Sequence, residues 1–89
     1  STVGTTSINS IKVGNTALDL NEATAYGNNT FDYSFGIVSG NTITVDAASN
    51  ATVYINGVAR TSFTVTDTTK PVQILVQEGN AAPFILVLE

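Results

Sequence analysis

The side chains that could do chemistry are few. The 89-residue sequence holds no His and no Cys, so the usual general base, the thiol nucleophile and most zinc sites are missing. No phosphate-cradling or nucleophile-elbow glycine motif occurs. What remains is seven carboxylates, three tyrosines and a large supply of Asn and Thr oxygens. Asp19 and Glu22 stand three apart in an irregular segment. With nearby Asn oxygens they form a weak Ca²⁺ candidate, because hard oxygen ligands are all Ca²⁺ needs. Set against this is the plainer reading, that turn carboxylates such as Asp46, Asp67 and Glu78 cap local backbone N–H groups. Apart from that weak Ca²⁺ candidate no cofactor is called for, and no catalytic residue can be named, so the chain is read as a non-enzyme.

Tyrosines are the second resource, since a flat ring can stack on a sugar. The sequence has no Trp, and Tyr33 shares a face with Phe31 and Phe35, which assigns it to the core. Tyr54 falls on the opposite face to Val53 and Ile55, and Tyr26 lies in a loop. Tyr54, Tyr26 and the adjoining Asn56 are therefore the candidate ligand-binding residues. The competing reading is that the tyrosines cover the outside of a sheet and that Asn56-Gly57 is simply a good turn. Asn28-Asn29-Thr30 and Asn50-Ala51-Thr52 match the N-glycosylation pattern, which matters only in a eukaryotic host.

Strands must position these residues. Asn41 to Val58 shows the pattern best: Ile43 and Val45 alternate with Thr42 and Thr44, then Val53 and Ile55 with Thr52 and Tyr54, and Asn56-Gly57 closes the second strand. Ile8 to Val13 is an earlier strand, ended by Gly14-Asn15. Ala17 to Ala25 reads either as a short strand or as a loop with one helical turn capped by Asn21. Phe31, Tyr33 and Phe35 alternate along an aromatic strand, and Phe63 and Val65 share a face further on. Val72 to Gln77 alternates, and Pro71 precedes it where a missing N–H does least harm. Phe84 to Leu88 is apolar on both faces, as a central strand or one covered by a neighbouring module would be. About seven strands with turns every 8 to 12 residues predict an all-β, Ig-like antiparallel β-sandwich.

Composition narrows the class. The charged fraction is 11%, against a usual ~25%. Thr, Ser and Asn supply the polar surface, as in many exported β-proteins. Net charge is −4, with Lys12, Arg60 and Lys70 the only cations. Phosphate contacts need clustered Lys or Arg, so nucleic acid is not expected. An anionic membrane surface is equally unsuited, and no apolar run is long enough to insert. Ser1 to Ser7 reads as linker-like and residues 8–89 as a single domain. A Ser/Thr-rich start of this kind is expected of a module within a longer protein, with any export signal upstream.

The order of motifs carries a resemblance. INSIKV (residues 8–13) is followed by FDYSF (31–35), TITVDA (42–47) and ATVYING (51–57), then Val72 to Val76, the turn Gln77-Glu78-Gly79-Asn80 and Phe84 to Leu88. This succession resembles the bacterial cadherin-like β-sandwich family of Ig-like modules over nearly the whole chain. Phe84 stands where that family usually has tyrosine, and the polar AYGNN segment is placed unusually. The resemblance implies an extracellular or cell-surface structural module of a multidomain bacterial protein, with neighbouring domains of the same polypeptide as partners and no catalytic residues to transfer. Two other roles fit the composition: a carbohydrate-binding or adhesion module that meets a polysaccharide or surface protein, and a phage or virion surface domain.

Overall fold

A computed structural model describes residues 8–89; the linker-like segment expected over residues 1–7 lies outside them. The described chain is almost entirely β. Ten strands follow in order: β1 (Ile8–Val13), β2 (Thr16–Ala17), β3 (Thr24–Ala25), β4 (Thr30–Tyr33), β5 (Thr42–Ala47), β6 (Ala51–Ile55), β7 (Val58–Ala59), β8 (Ser62–Thr64), β9 (Val72–Glu78) and β10 (Phe84–Leu88). Three of them, β2, β3 and β7, have two residues each, which leaves the seven longer strands that alternation predicts.

Two sheets form. One has the order β2-β1-β5-β8 and the other β3-β4-β10-β9-β6-β7. Their inner faces meet in one aliphatic core. Ile11, Val13, Ile43 and Val45 come from the smaller sheet, and Val53, Ile55, Val72, Ile74, Val76, Phe84, Leu86 and Leu88 from the larger. Each is the inward member of an apolar/polar or apolar/apolar alternation, so burial follows from period two. Two crossover residues, Ile37 and Val65, complete the core.

The expected antiparallel sandwich needs one correction: β10 runs antiparallel to β9 but parallel to β4. A parallel pair needs a long crossover rather than a hairpin, so no local turn signal announces it. Phe84–Leu88 is a central strand, as its two apolar faces required.

The aromatic segment differs more. β4 stops at Tyr33, and Phe35 lies beyond it, where the backbone N–H groups of Phe35 and Gly36 both donate to the Glu89 carbonyl at 2.8 Å. Phe31, Tyr33, Phe35 and Phe63 pack against the core but stay half-buried. The fully buried aromatic is Phe84, whose ring lies 5.4 Å from that of Phe31.

The ambiguous segment resolves into a short 3₁₀ turn over Leu20–Glu22. Its cap is Asp19, not Asn21: the Asp19 carboxylate accepts from the Asn21 backbone N–H at 3.1 Å. The sequence expectation set the cap two residues late, because both Asp and Asn suit that role.

Candidate functional site

Register across the larger sheet creates a site that no single strand displays. Tyr54 pairs with Leu75, Leu75 with Ile85, and Ile85 with Thr30. Paired residues point to the same face, here the outer one, away from the core. The Tyr26 N–H donates to the Thr30 carbonyl at 2.9 Å, which continues the β3-β4 register and sets Tyr26 opposite Thr30. One transverse row therefore runs Tyr26, Thr30, Ile85, Leu75, Tyr54 and ends at Ala59, the Tyr54 partner on β7. Val87 and Gln73 form the next row. Leu75, Ile85 and Val87 are only half-buried, so the centre of this outer face is apolar.

Tyr54 is 37% exposed, as its outward alternation requires. With Gly57, Gln73 and Leu75 it lines an open, almost wholly apolar depression of about 290 Å³. Gly57 frames one side because the turn needs it. Asn56 has φ +52° and Gly57 φ +80°, the two left-handed residues of a type I′ hairpin turn. No Cβ rises from Gly57 into the opening.

The two candidate tyrosines share a row but not a site. Strands β4, β10 and β9 lie between β3 and β6, so Tyr26 and Tyr54 stand about 19 Å apart at the usual strand spacing. Tyr26 is 69% exposed, and among the described residues no aromatic ring pairs with it. A flat two-ring platform does not form; Tyr54 faces the depression alone.

Asn56 has another occupation. Its backbone N–H donates to the Gln73 carbonyl at 2.8 Å, and its side-chain Oδ1 accepts from the Gln73 N–H at 2.9 Å. The turn residue thus prolongs the β6-β9 ladder by one step, and its amide oxygen is already engaged. Arg60 is a residue whose role a reading of isolated turn charges misses. Its Nε and Nη2 donate to the Ile55 carbonyl at 3.1 and 2.9 Å, and its guanidinium lies 4.5 Å over the Phe63 ring. That fork fastens the β6-β7 hairpin to a residue of the other sheet, and only a planar five-donor group suits it. An Arg with an aromatic three residues away was the one available hint.

Asp19 caps the 3₁₀ turn and Glu22 sits exposed at its end. Among the described residues, no group of three or more His, Cys, Asp or Glu side chains comes together as a metal site. Glu78 accepts from Asn50 Nδ2 at 2.8 Å across one end of the larger sheet. Asp67 accepts from the hydroxyl and the backbone N–H of Thr69, which lowers its pKa below the ordinary carboxylate value.

The chain matches no protein-family model, no curated protein and no solved structure.

Proposed function

We propose that this domain is a non-catalytic structural module, strung between other domains of an extracellular or cell-surface protein. The observation that carries this reading is the placement of the start of β1 and the end of β10 at opposite poles of the sandwich. Ile8 pairs with Ala47, next to the connection that leads into Ala51, and Ala51 pairs with Glu78. Glu89 lies at the other pole, where Leu88 pairs with Val72 and the Glu89 N–H donates to the Tyr33 carbonyl. From Val72 to Glu78 is six steps of β9, about 20 Å. Chain that enters the fold at Ile8 and leaves it at Glu89 does so at opposite poles, the arrangement that suits modules extended end to end. The sparse charge, the absence of His and Cys and the resemblance to cadherin-like modules support the same reading. So does the strand arrangement: two hydrogen-bonded sheets share one core, and an early strand pairs in parallel with the last.

Two copies joined in tandem test it by small-angle scattering. The expected maximum dimension exceeds that of one copy by about 20 Å or more. Two copies packed side by side, with little gain in length, would overturn it.

A second reading, carbohydrate binding, is favoured by the depression that Tyr54 faces. A ring over an apolar floor, beside the Gln73 amide, suits one sugar face. Affinity gel electrophoresis against a panel of neutral polysaccharides decides between the two. Retardation that Tyr54→Ala abolishes establishes binding; no retardation leaves the spacer.

A further inference from the structure

The sequence contains one Asn-Gly pair, Asn56-Gly57. This dipeptide can modify itself. The Gly57 nitrogen attacks Asn56 Cγ, a new N–C bond forms, and the Cγ–Nδ2 bond breaks as ammonia leaves. Water then opens the five-membered imide at either carbonyl, giving aspartate or a β-linked aspartate. Glycine favours the first step because it has no side chain to obstruct the approach. Apart from its chain neighbours, no heavy atom lies within 4 Å of where a Gly57 Cβ would stand.

The fold opposes the reaction in two ways. Ring closure requires the Gly57 nitrogen to eclipse Asn56 Cβ about the Cα–C bond. An ideal turn of this type has ψ about +30° at its first central residue, the mirror image of the type I value. That torsion puts the nitrogen on the far side of the bond from Cβ, and Asn56 with φ +52° belongs to this turn. The second restraint is the side chain itself. Asn56 Oδ1 is held by the Gln73 N–H at 2.9 Å, so Cγ is anchored toward β9. Both restraints disappear together if the hairpin opens. β7 is a two-residue edge strand with Val58 52% exposed, and edges of this kind belong to the low-stability end of a fold.

We propose that Asn56-Gly57 is a latent self-modification site, held shut by the turn and released when the β6-β7 hairpin opens. Conversion places a new carboxylate at the Gln73 backbone N–H, next to Gly57 and Gln73 of the depression's lining, and the β-linked product lengthens the backbone of the turn. Both changes alter the rim of the apolar depression, whatever that depression holds.

The experiment incubates the folded protein and the urea-unfolded chain at one mildly alkaline pH. Mass spectrometry follows the amide-to-acid change in peptides spanning Asn56, and an isoaspartyl methyltransferase assay counts the β-linked product. The folded protein should convert roughly tenfold more slowly or less, in line with protection by local structure. Arg60→Ala, which removes the fork on the Ile55 carbonyl, should accelerate conversion several-fold while circular dichroism still reports a folded protein. Low urea, below the unfolding transition, serves as a second trigger if that variant does not fold. Equal rates in folded and unfolded chains would overturn the proposal. So would a rate that responds to neither trigger until the whole domain unfolds.

Discussion

The outer faces of the two sheets are made differently. On the four-stranded sheet the outward residues of β1, β5 and β8 include Lys12, Thr42, Thr44, Asp46, Ser62 and Thr64, all exposed. The hydroxyls of Thr42 and Thr64 lie 3.3 Å apart across that face. On the six-stranded sheet the corresponding positions of β6, β9 and β10 include Tyr54, Leu75, Ile85 and Val87 beside the polar Thr52, Gln73 and Gln77. The inner faces, by contrast, are alike, built from Val, Ile and Leu with Phe84. The fold needs two apolar inner faces and one core; it has no need of a third apolar face. The smaller sheet is therefore finished toward water, while the larger keeps an apolar band at the centre of its outer face.

The sharpest way to break this comparison is to truncate adjacent residues of β10. Phe84 is fully buried between the sheets. Phe84→Ala should cost about 3–5 kcal/mol in urea unfolding, the sum of lost transfer energy and a cavity. Ile85 points outward and is half-buried, so Ile85→Ala should cost about 1 kcal/mol. Equal losses would mean that the outer face is as covered as the inner one, as in a self-associated protein. Sedimentation of both variants would then show it.

The next largest effect concerns what joins the sheets. Arg60 bonds the Ile55 carbonyl of the larger sheet while stacking on Phe63 of the smaller. Arg60→Ala should cost about 1–2 kcal/mol by thermal or urea unfolding, from part-buried charged hydrogen bonds and the lost ring contact. Arg60→Lys should recover less than half of that, because an ammonium cannot present the fork. Full recovery would reduce Arg60 to a charge.

These residues also mark how far sequence alone reaches. The bounds of β1 and β10 are legible to the residue, β1 from the alternation of Ile11 and Val13 with Ser10 and Lys12 and β10 as an apolar run, each bounded by turn residues. The Asn56-Gly57 turn is legible for the same local reason, and so is the outward direction of Tyr54. The row joining Tyr54, Leu75 and Ile85 is not legible, since it depends on register between residues 21 and 10 positions apart. The parallel β4-β10 pair is hidden by a still longer separation. The aromatic run misleads about burial: three rings at period two mark a face correctly, but the edge of a small sandwich has too little depth to enclose them. Of the sites inferred from residue type alone, Asp19 and Glu22 stay together on one 3₁₀ turn, whereas Tyr26 and Tyr54 are set apart by a strand order that residue type cannot give.

A milder perturbation makes the outer faces alike. Leu75→Thr gives the larger sheet the Thr texture of the smaller. It should change stability by no more than about 1 kcal/mol, since Leu75 is only half-buried. Binding of a hydrophobic dye should fall clearly, and Thr44→Leu on the other sheet should raise it. If dye binding ignores both changes, the apolar row is not an accessible surface.

The smallest effect tests the crossover from β8 on one sheet to β9 on the other. Asp67 lies on it and accepts two hydrogen bonds from Thr69, hydroxyl and backbone N–H. The hydroxyl bond is the larger cause of its lowered pKa, the backbone bond the next, and Lys70 adds a weak attraction; slight desolvation opposes them. A carboxylate with a lowered folded pKa stabilises the fold above its unfolded pKa and loses that contribution as pH falls through the folded value. Asp67→Asn should therefore lower the melting temperature slightly at neutral pH, and the difference should close in strong acid. Full solvent exposure keeps the effect small, and salt should hardly change it, because hydrogen bonds rather than the Lys70 charge dominate. A difference that widens in acid would mean that the protonated form of Asp67 is the one the crossover prefers, and the two-bond turn would have to be abandoned.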